Sequence, residues 1–259
     1  MSKRPAEVLT SQEGLGCDST STAAAKKKRS DDEEGTVTSG PEVQDGVGDD
    51  EASRLAAIIK GAAAGVPYRA ASALGKLGVD AAPHVGLLAR VLADGGADCL
   101  LRCFSATALG RLGEVAAPHA DSLVVIMKDA GCDTEVRQSA VKALGILGAT
   151  VAPQAPAALM EVLADVACHE HVRASAAAAL AKVGGDVVAH AAALAAELRR
   201  TDKWWCVRQN AAEALGELGE AARPHVGALQ GLLNRGDDEH EDCMAVAIEV
   251  LQEKLGVDV

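Results

Sequence analysis

A leucine recurs about every thirty-five residues through most of this chain, and this repeat constrains the fold more than any other feature. The repeated positions are Leu74, Leu109, Leu144, Leu180, Leu215 and Leu251, separated by 35, 35, 36, 35 and 36 residues. A repeat of this length is one supersecondary unit, which cannot bury its apolar face alone and must stack on its neighbours. The repeat therefore predicts a solenoid over residues 51–259.

Within each repeat the apolar residues follow the spacing of two short helices. In the third unit Leu123 and Met127 lie on one face of a first helix, and residues 135–147 form a second helix. The predicted buried stripe of that second helix is Val136, Ala140, Ala143, Leu144 and Leu147. Prolines are expected to open the first helices at Pro83, Pro118, Pro153 and Pro224, with Ala189 in the corresponding position of one unit. Glycines are expected to end the second helices in a left-handed conformation at Gly78, Gly113, Gly148, Gly184 and Gly219.

The composition agrees with helices packed closely on helices. Apolar residues make up 49% of the 259 residues but aromatic residues only 2%, so the core must be built mainly from small aliphatic side chains. The segment 51–60 supplies the first helix of the first unit and 243–255 the second helix of the last. The predicted fold is an all-α solenoid of about six helix pairs.

The second helix of the third unit, Val136–Gly145, reads VRQSAVKALG, and Val172-Arg173 and Val207-Arg208 open similar helices. This pattern resembles HEAT-repeat proteins, specifically the short variety named after phycobilisome lyases. The resemblance covers about four-fifths of the chain. It implies that an Asp ending each first helix pairs with the Arg of the second, as Asp94 with Arg102, Asp129 with Arg137 and Asp165 with Arg173.

Residues 1–50 lack any apolar periodicity and are rich in polar and charged residues, so we expect a disordered tail. Its basic run, Lys26, Lys27, Lys28 and Arg29, resembles a nuclear-localisation signal read by importin-type receptors, although a solubilising charge run is the alternative. Ser30 is followed by four acidic residues and is a candidate phosphorylation site. We therefore expect the protein in the nucleus or the cytoplasm.

The formal net charge of −12 argues against a nucleic-acid-binding protein, because phosphate binding depends on Lys and Arg. No apolar run is long enough for a membrane span. The seven cysteines do not form a disulfide framework, since their number is odd and short paired spacings are missing.

Several histidines and cysteines raise the question of a metal site. His84, His119, His190 and His225 occupy one repeat position, but stacked repeats lie too far apart for them to share an ion. Cys132 and Cys168 fall in turns without a second close pair. We therefore expect neither a metal nor a cofactor, and no catalytic residue is identified.

The family resemblance leaves an enzymatic alternative open. Deoxyhypusine hydroxylase carries His-Glu iron ligands directly after the Val-Arg of its repeats. The matching positions here are Gln138-Ser139, Ala174-Ser175 and Gln209-Asn210, so those ligands are missing. A subunit of a bilin lyase is the other enzymatic alternative.

The exposed columns of the second helices are the predicted binding surface, because solenoids bind along their concave face. The candidate residues are Tyr68, Arg69, Lys76, Phe104, Arg111, Gln138, Lys142, Lys182, Gln209, Asn210, Glu213 and Glu217. Charge changes along this set from basic to acidic, and Tyr68 and Phe104 are candidate apolar anchors. Trp204 is a candidate second contact, whereas Trp205 is expected to fold back onto its repeat. The predicted function is a scaffold or adaptor that binds a protein or peptide with an acidic segment.

Overall fold

The computed structural model describes residues 47–61, 65–148, 152–200, 205–227 and 253, with side chains from residue 51. The predicted disordered tail, the basic run 26–29, Ser30, Trp204 and nearly all of the sixth repeat lie outside the described residues. For these parts the sequence predictions stay predictions.

The described part of the chain is helical and contains no strand, which confirms the predicted all-α solenoid. The helices alternate between first and second members of five successive pairs. Their bounds are α1 Val47–Ile59, α2 Pro67–Leu74, α3 Val85–Ala93, α4 Cys99–Leu112, α5 Ala120–Lys128, α6 Thr134–Leu147, α7 Ala155–Ala164, α8 Glu170–Leu180, α9 Val187–Leu198 and α10 Trp205–Leu218.

The repeated leucines form the centre of the core. Leu74, Leu109, Leu144, Leu180 and Leu215 are each fully buried, at 0% exposure. The stripe predicted for α6 is buried in full as well. Burying a leucine side chain stabilises a fold by about 1.5–3 kcal/mol, so this repeated position is a main source of stability in every unit.

The first helices begin later than the prolines indicate. Pro83, Pro118 and Pro224 lie inside 3₁₀ segments, and α3 and α5 start two residues after their proline. His84 and His119 directly after these prolines have φ of −111° and −118° with ψ of 0° and 5°, which departs from helical values, so the regular helix begins one residue later. In the unit that has Ala189 instead, α9 already begins at Val187, because the Asp186 carboxylate accepts hydrogen bonds from the Val188 and Ala189 amides.

The predicted glycines directly follow α4, α6 and α10, but Gly78 and Gly184 lie four residues after the ends of α2 and α8. Gly78, Gly113, Gly148, Gly184 and Gly219 all have positive φ, between 58° and 73°. Gly113 and Gly148 combine this φ with ψ of −129° and 173°, which is a region that side-chain-bearing residues rarely enter. The prediction of a left-handed end therefore holds for φ, while ψ at these two residues lies outside the α-left region.

The second helices α2, α4, α6, α8 and α10 pack side by side and form what we call the second-helix layer. They contact one another much more extensively than the first helices α1, α3, α5, α7 and α9 do. Small residues permit this approach: a Cβ on Gly110 would lie only 2.8 Å from Cα of Ala143. One edge of each second helix is therefore covered by the next repeat, and its outer surface stays exposed.

A buried arginine near the start of the second helix joins the two helices of a unit and the following unit. Nε of Arg102 donates to the Leu92 carbonyl at 3.0 Å, and Nε of Arg137 donates in the same way to the Met127 carbonyl. Their Nη2 atoms contact Sγ of Cys132 and Cys168, each at 3.2 Å. The same arginine therefore satisfies a carbonyl at the end of its own first helix and reaches the turn of the next repeat.

The expected Asp–Arg pairing differs from these contacts. Within the part of the chain that the structure describes, neither Arg102 nor Arg137 forms an ion pair with Asp94 or Asp129. Each aspartate instead accepts a hydrogen bond from the amide two residues later, as Asp94 does from Gly96 at 2.9 Å. The aspartates shape the turn between the helices, and the arginines bind main-chain carbonyls.

The fourth unit replaces the cysteine partner with a carboxylate. Arg173 is completely buried and its Nη2 lies 2.6 Å from Oε2 of Glu197 on α9. Arg200 lies 3.6 Å from the same oxygen. Two cations therefore neutralise one nearly buried glutamate at this junction.

Candidate functional site

The predicted binding residues all lie on, or within two residues of, the second helices. The exposed ones are Arg69, Lys76, Arg111, Lys142, Lys182, Glu213 and Glu217, and the half-buried ones are Tyr68, Phe104, Gln138, Gln209 and Asn210. We call this outer surface the second-helix face. This face is formed by residues that are up to 149 positions apart in the sequence, from Tyr68 to Glu217.

One column of this face shows how its charge changes along the repeats. Lys76, Arg111, Ile146, Lys182 and Glu217 occupy equivalent positions at the ends of successive second helices and are all exposed. Lys142 lies one helical turn before Ile146 and supplies the cation of the third unit. The first four units therefore present positive charge, and α10 presents the negative charges of Glu213 and Glu217.

The cations of the second-helix face have no acidic partners among the described residues. No carboxylate lies within ion-pair distance of Lys76, Arg111, Lys142 or Lys182 there. Elsewhere among the described residues some cations are paired, as Lys128 is with Glu161 and Arg223 with Glu220, while others such as Arg90 are not. Because their charge is not compensated by neighbours, the face attracts anionic groups even though the whole chain is acidic.

An apolar patch lies at the N-terminal end of the face. The rings of Tyr68 and Phe104 stack with centroids 5.4 Å apart and an angle of 28° between the planes. Val66 and Leu100 beside them are 42% and 49% exposed. A depression of 280 Å³ is lined by Gly65, Val66, Pro67, Tyr68, Asp98, Leu100 and Leu101. Exposed apolar side chains around such a depression are typical of a contact site for another molecule.

A second depression of 380 Å³ lies between α6, α8 and α10. Its lining residues are Lys142, Gly145, Ile146, Ser175, Ala178, Ala179, Lys182 and Asn210. Three of these, Lys142, Lys182 and Asn210, belong to the predicted binding set. Sequence reasoning missed Ser175, Ala178 and Ala179, because a depression formed by small side chains has no strong motif.

The amide side chains of the predicted set form hydrogen bonds, one of them between neighbouring helices and two within α10. Nε2 of Gln138 on α6 donates to Oγ of Ser175 on α8 at 3.1 Å. Nδ2 of Asn210 donates to the Cys206 carbonyl at 2.8 Å, and Nε2 of Gln209 to Oε1 of Glu213 at 3.0 Å. Gln138 therefore links neighbouring repeats as well as facing outward.

The described titratable groups bear on two kinds of chemistry, metal binding and thiol reactivity. In the described ranges no group of three or more His, Cys, Asp or Glu residues is arranged to hold a metal ion. Burial, followed by the neighbouring Cys103 and Glu135, raises the pKa of the Cys99 thiol to about 12. Burial likewise raises the pKa of Cys168 and Cys206, which keeps these thiols in their poorly nucleophilic form at neutral pH.

The burial of Trp205 and the lengths of the helices bear on two further predictions. Trp205, expected to fold back onto its repeat, is 46% exposed at the start of α10, so only about half of it is covered. In the described parts of the chain no helix combines the length and the apolar character needed to cross a membrane.

Comparison with protein families decides how these repeats are classified. Residues 120–216 match the family described as HEAT repeats, and this range covers α5 to α10. This part of the chain consists of HEAT repeats. The resemblance to HEAT repeats predicted from the Val-Arg pattern is thereby confirmed for residues 120–216.

Solved structures of other proteins resemble this chain at low identity. Human deoxyhypusine hydroxylase in complex with glycerol is 19% identical, with 80% of this chain and 98% of that chain covered and a TM-score of 0.31. The complex of CpcE and CpcF of phycocyanin lyase from Nostoc sp. PCC7120 is 21% identical, with 85% and 98% covered and a TM-score of 0.39. A search of curated proteins found no match. Neither likeness is close enough to assign an activity to the HEAT repeats described here.

Proposed function

We propose that this protein is a binding scaffold whose second-helix face binds an acidic segment of a protein partner. The observation that carries the proposal is the set of exposed cations without acidic partners among the described residues, repeated at Lys76, Arg111, Lys142 and Lys182. In a chain with a net charge of −12, this row presents positive charge in four successive units of one surface. It is complementary to carboxylates on a partner.

The apolar patch provides a second kind of contact for the same partner. Tyr68 and Phe104 are already held against each other, so little side-chain entropy is lost when a partner covers them. Together with exposed Val66 and Leu100 they form an apolar anchor at the starts of α2 and α4, whereas Lys76 and Arg111 lie at the ends of these helices. We therefore expect the partner to place apolar residues on this patch and acidic residues over Lys76, Arg111 and Lys142.

The proposal is tested by reversing charge on the face and, separately, away from it. The test variant combines Lys76→Glu, Arg111→Glu and Lys142→Glu. The matched control combines Lys60→Glu, Arg90→Glu and Lys128→Glu, which are exposed cations of the first helices and their ends. The full-length wild type and both variants are used to capture partners from the native cell, and the recovered proteins are quantified by mass spectrometry.

We expect the control to recover the same partners as the wild type and the test variant to lose those with acidic segments. Circular dichroism checks that both triple variants keep their helical content. Equal recovery of every partner by both variants would overturn the proposed binding face.

A further inference from the structure

The depression between α6, α8 and α10 combines an apolar floor with a cation on either side. Gly145, Ala178 and Ala179 form its floor, and Cβ added to Gly145 would already lie 3.1 Å from Cβ of Ala179. The two helices are thus close at the floor, and the short side chain of half-buried Ala178 leaves the space above it open.

The walls supply the other contacts. Ile146 on α6 is 58% exposed and borders the depression with its aliphatic side chain. Lys142 stands on the α6 side and Lys182 at the end of α8, and neither has a carboxylate partner among the described residues. Lysine stems can lie along an apolar surface while their ammonium groups stay at the rim.

The apolar floor and the two lysines indicate a ligand that is aliphatic at its centre and negatively charged on either side. We infer that this depression binds one aliphatic side chain of the partner, such as leucine, with carboxylates of the neighbouring partner residues on Lys142 and Lys182. The inference rests on the proposed function and adds a residue-level specificity to it. The volume of 380 Å³ lies at the lower end of the range of roughly 300–1,000 Å³ for small-molecule pockets and leaves room for one such side chain.

The neighbouring charges limit where the carboxylates of the partner can lie. Glu213 and Glu217 are exposed on α10, next to the Asn210 end of the depression. Carboxylates of the partner are repelled there and attracted to the α6–α8 side. A bare phosphate would use the lysines but would leave the apolar floor uncovered, so an acidic peptide fits the site better.

The experiment measures the binding of three fluorescein-labelled peptides to the full chain by fluorescence anisotropy. The first contains the core Glu-Glu-Leu-Glu-Glu, the second has Ala in place of Leu, and the third has Gln in place of every Glu. The variants are Ala178→Leu, which fills the depression, and Lys182→Glu. Their matched controls on first helices are Ala196→Leu and Arg90→Glu, both at exposed positions.

We expect the wild type to bind the Leu peptide about tenfold more tightly than the Ala peptide, because the leucine side chain buries additional apolar surface. Ala178→Leu removes this preference, and Lys182→Glu weakens the binding of both acidic peptides. The two control variants behave as the wild type, and the Gln peptide binds at least about tenfold more weakly than the Leu peptide.

The outcomes separate this inference from the proposed function. If the Leu and Ala peptides bind equally, or Ala178→Leu keeps the preference, the aliphatic site is wrong while acidic binding to the face can still hold. If the Gln peptide binds as well as the Leu peptide, the role of the two lysines is wrong. If no peptide binds, the inference fails, and the capture experiment with the triple variants decides the proposed function independently.

Discussion

His190 differs from the other histidines at its repeat position. Its side chain is completely buried, whereas His84, His119 and His225 are half-buried. Burial lowers the pKa of His190 below its ordinary value, because a charged imidazolium is disfavoured away from water; the Leu180 main chain and the Asp186 carboxylate act in the opposite direction. The difference arises because α9 begins before this position, which places His190 inside a regular helix.

This burial makes stability depend on pH. In the unfolded chain His190 takes up a proton near pH 6.5, whereas in the folded chain it resists protonation. The unfolded state then binds more protons, so the free energy of unfolding falls as the pH decreases below about 6.5, by at most about 1.4 kcal/mol per pH unit from this group, until the folded-state pKa is reached. Urea unfolding at pH 7.5, 6.5 and 5.5 measures the slope, and we expect His190→Leu to be less sensitive to acid than the wild type. Identical slopes in the two proteins would show that His190 does not carry this effect.

Glycines in the second helices set the spacing between repeats. Cβ built on Gly75, Gly110 or Gly145 would lie 2.6, 2.8 or 3.2 Å from Cα of an alanine in the next second helix. Main-chain atoms cannot move aside as a flexible side chain can. The same glycine position in three units therefore keeps neighbouring second helices close, and it positions the cations of the face relative to one another.

The substitution Gly110→Ala tests this packing. In an isolated helix alanine is about 1 kcal/mol more favourable than glycine, but here the new methyl group collides with Ala143. We expect the steric clash to outweigh the higher helix propensity of alanine and to lower the free energy of unfolding by about 1–3 kcal/mol. The matched control is Gly95→Ala, because a Cβ at Gly95 meets no atom within 4 Å. Chemical denaturation compares the two variants, and a Gly110→Ala protein as stable as the wild type would refute the role of this contact.

The sequence predicted the elements well because their signals are local. The repeated leucines and the glycine ends depend on helical spacing and backbone conformation, and both are readable from a single unit. The partners of Arg102 and Arg137 were not predictable in this way, since a main-chain carbonyl and a cysteine of the next repeat come near only in the folded chain. The depression at Ala178 was missed for a related reason. It is a space between α6, α8 and α10, and this space exists only once the three helices pack in the folded chain.

At the scale of the whole molecule, exposed cations occur on both helix layers, and Lys60, Arg90 and Lys128 lie on or next to first helices. Second helices carry Arg111 and Lys142, with Lys76 and Lys182 just beyond their ends, and α10 carries Glu213 and Glu217. First helices expose apolar residues too, as Val125 on α5 is 66% exposed. What distinguishes the second-helix face is the repetition of its cations in four successive units, on the same surface as the stacked rings of Tyr68 and Phe104.

The most direct test of the account is to ask which layer touches the partner. A photo-crosslinking amino acid, p-benzoylphenylalanine, is placed in the full chain either at Ile146 on α6 or at Val125 on α5, two exposed aliphatic positions in the same repeat. Irradiation in the native cell followed by mass spectrometry identifies the crosslinked proteins. We predict that position 146 crosslinks to proteins at acidic segments and that position 125 does not. Crosslinks to the same acidic segments from position 125 alone, or equally from both positions, would contradict a binding face formed by the second helices.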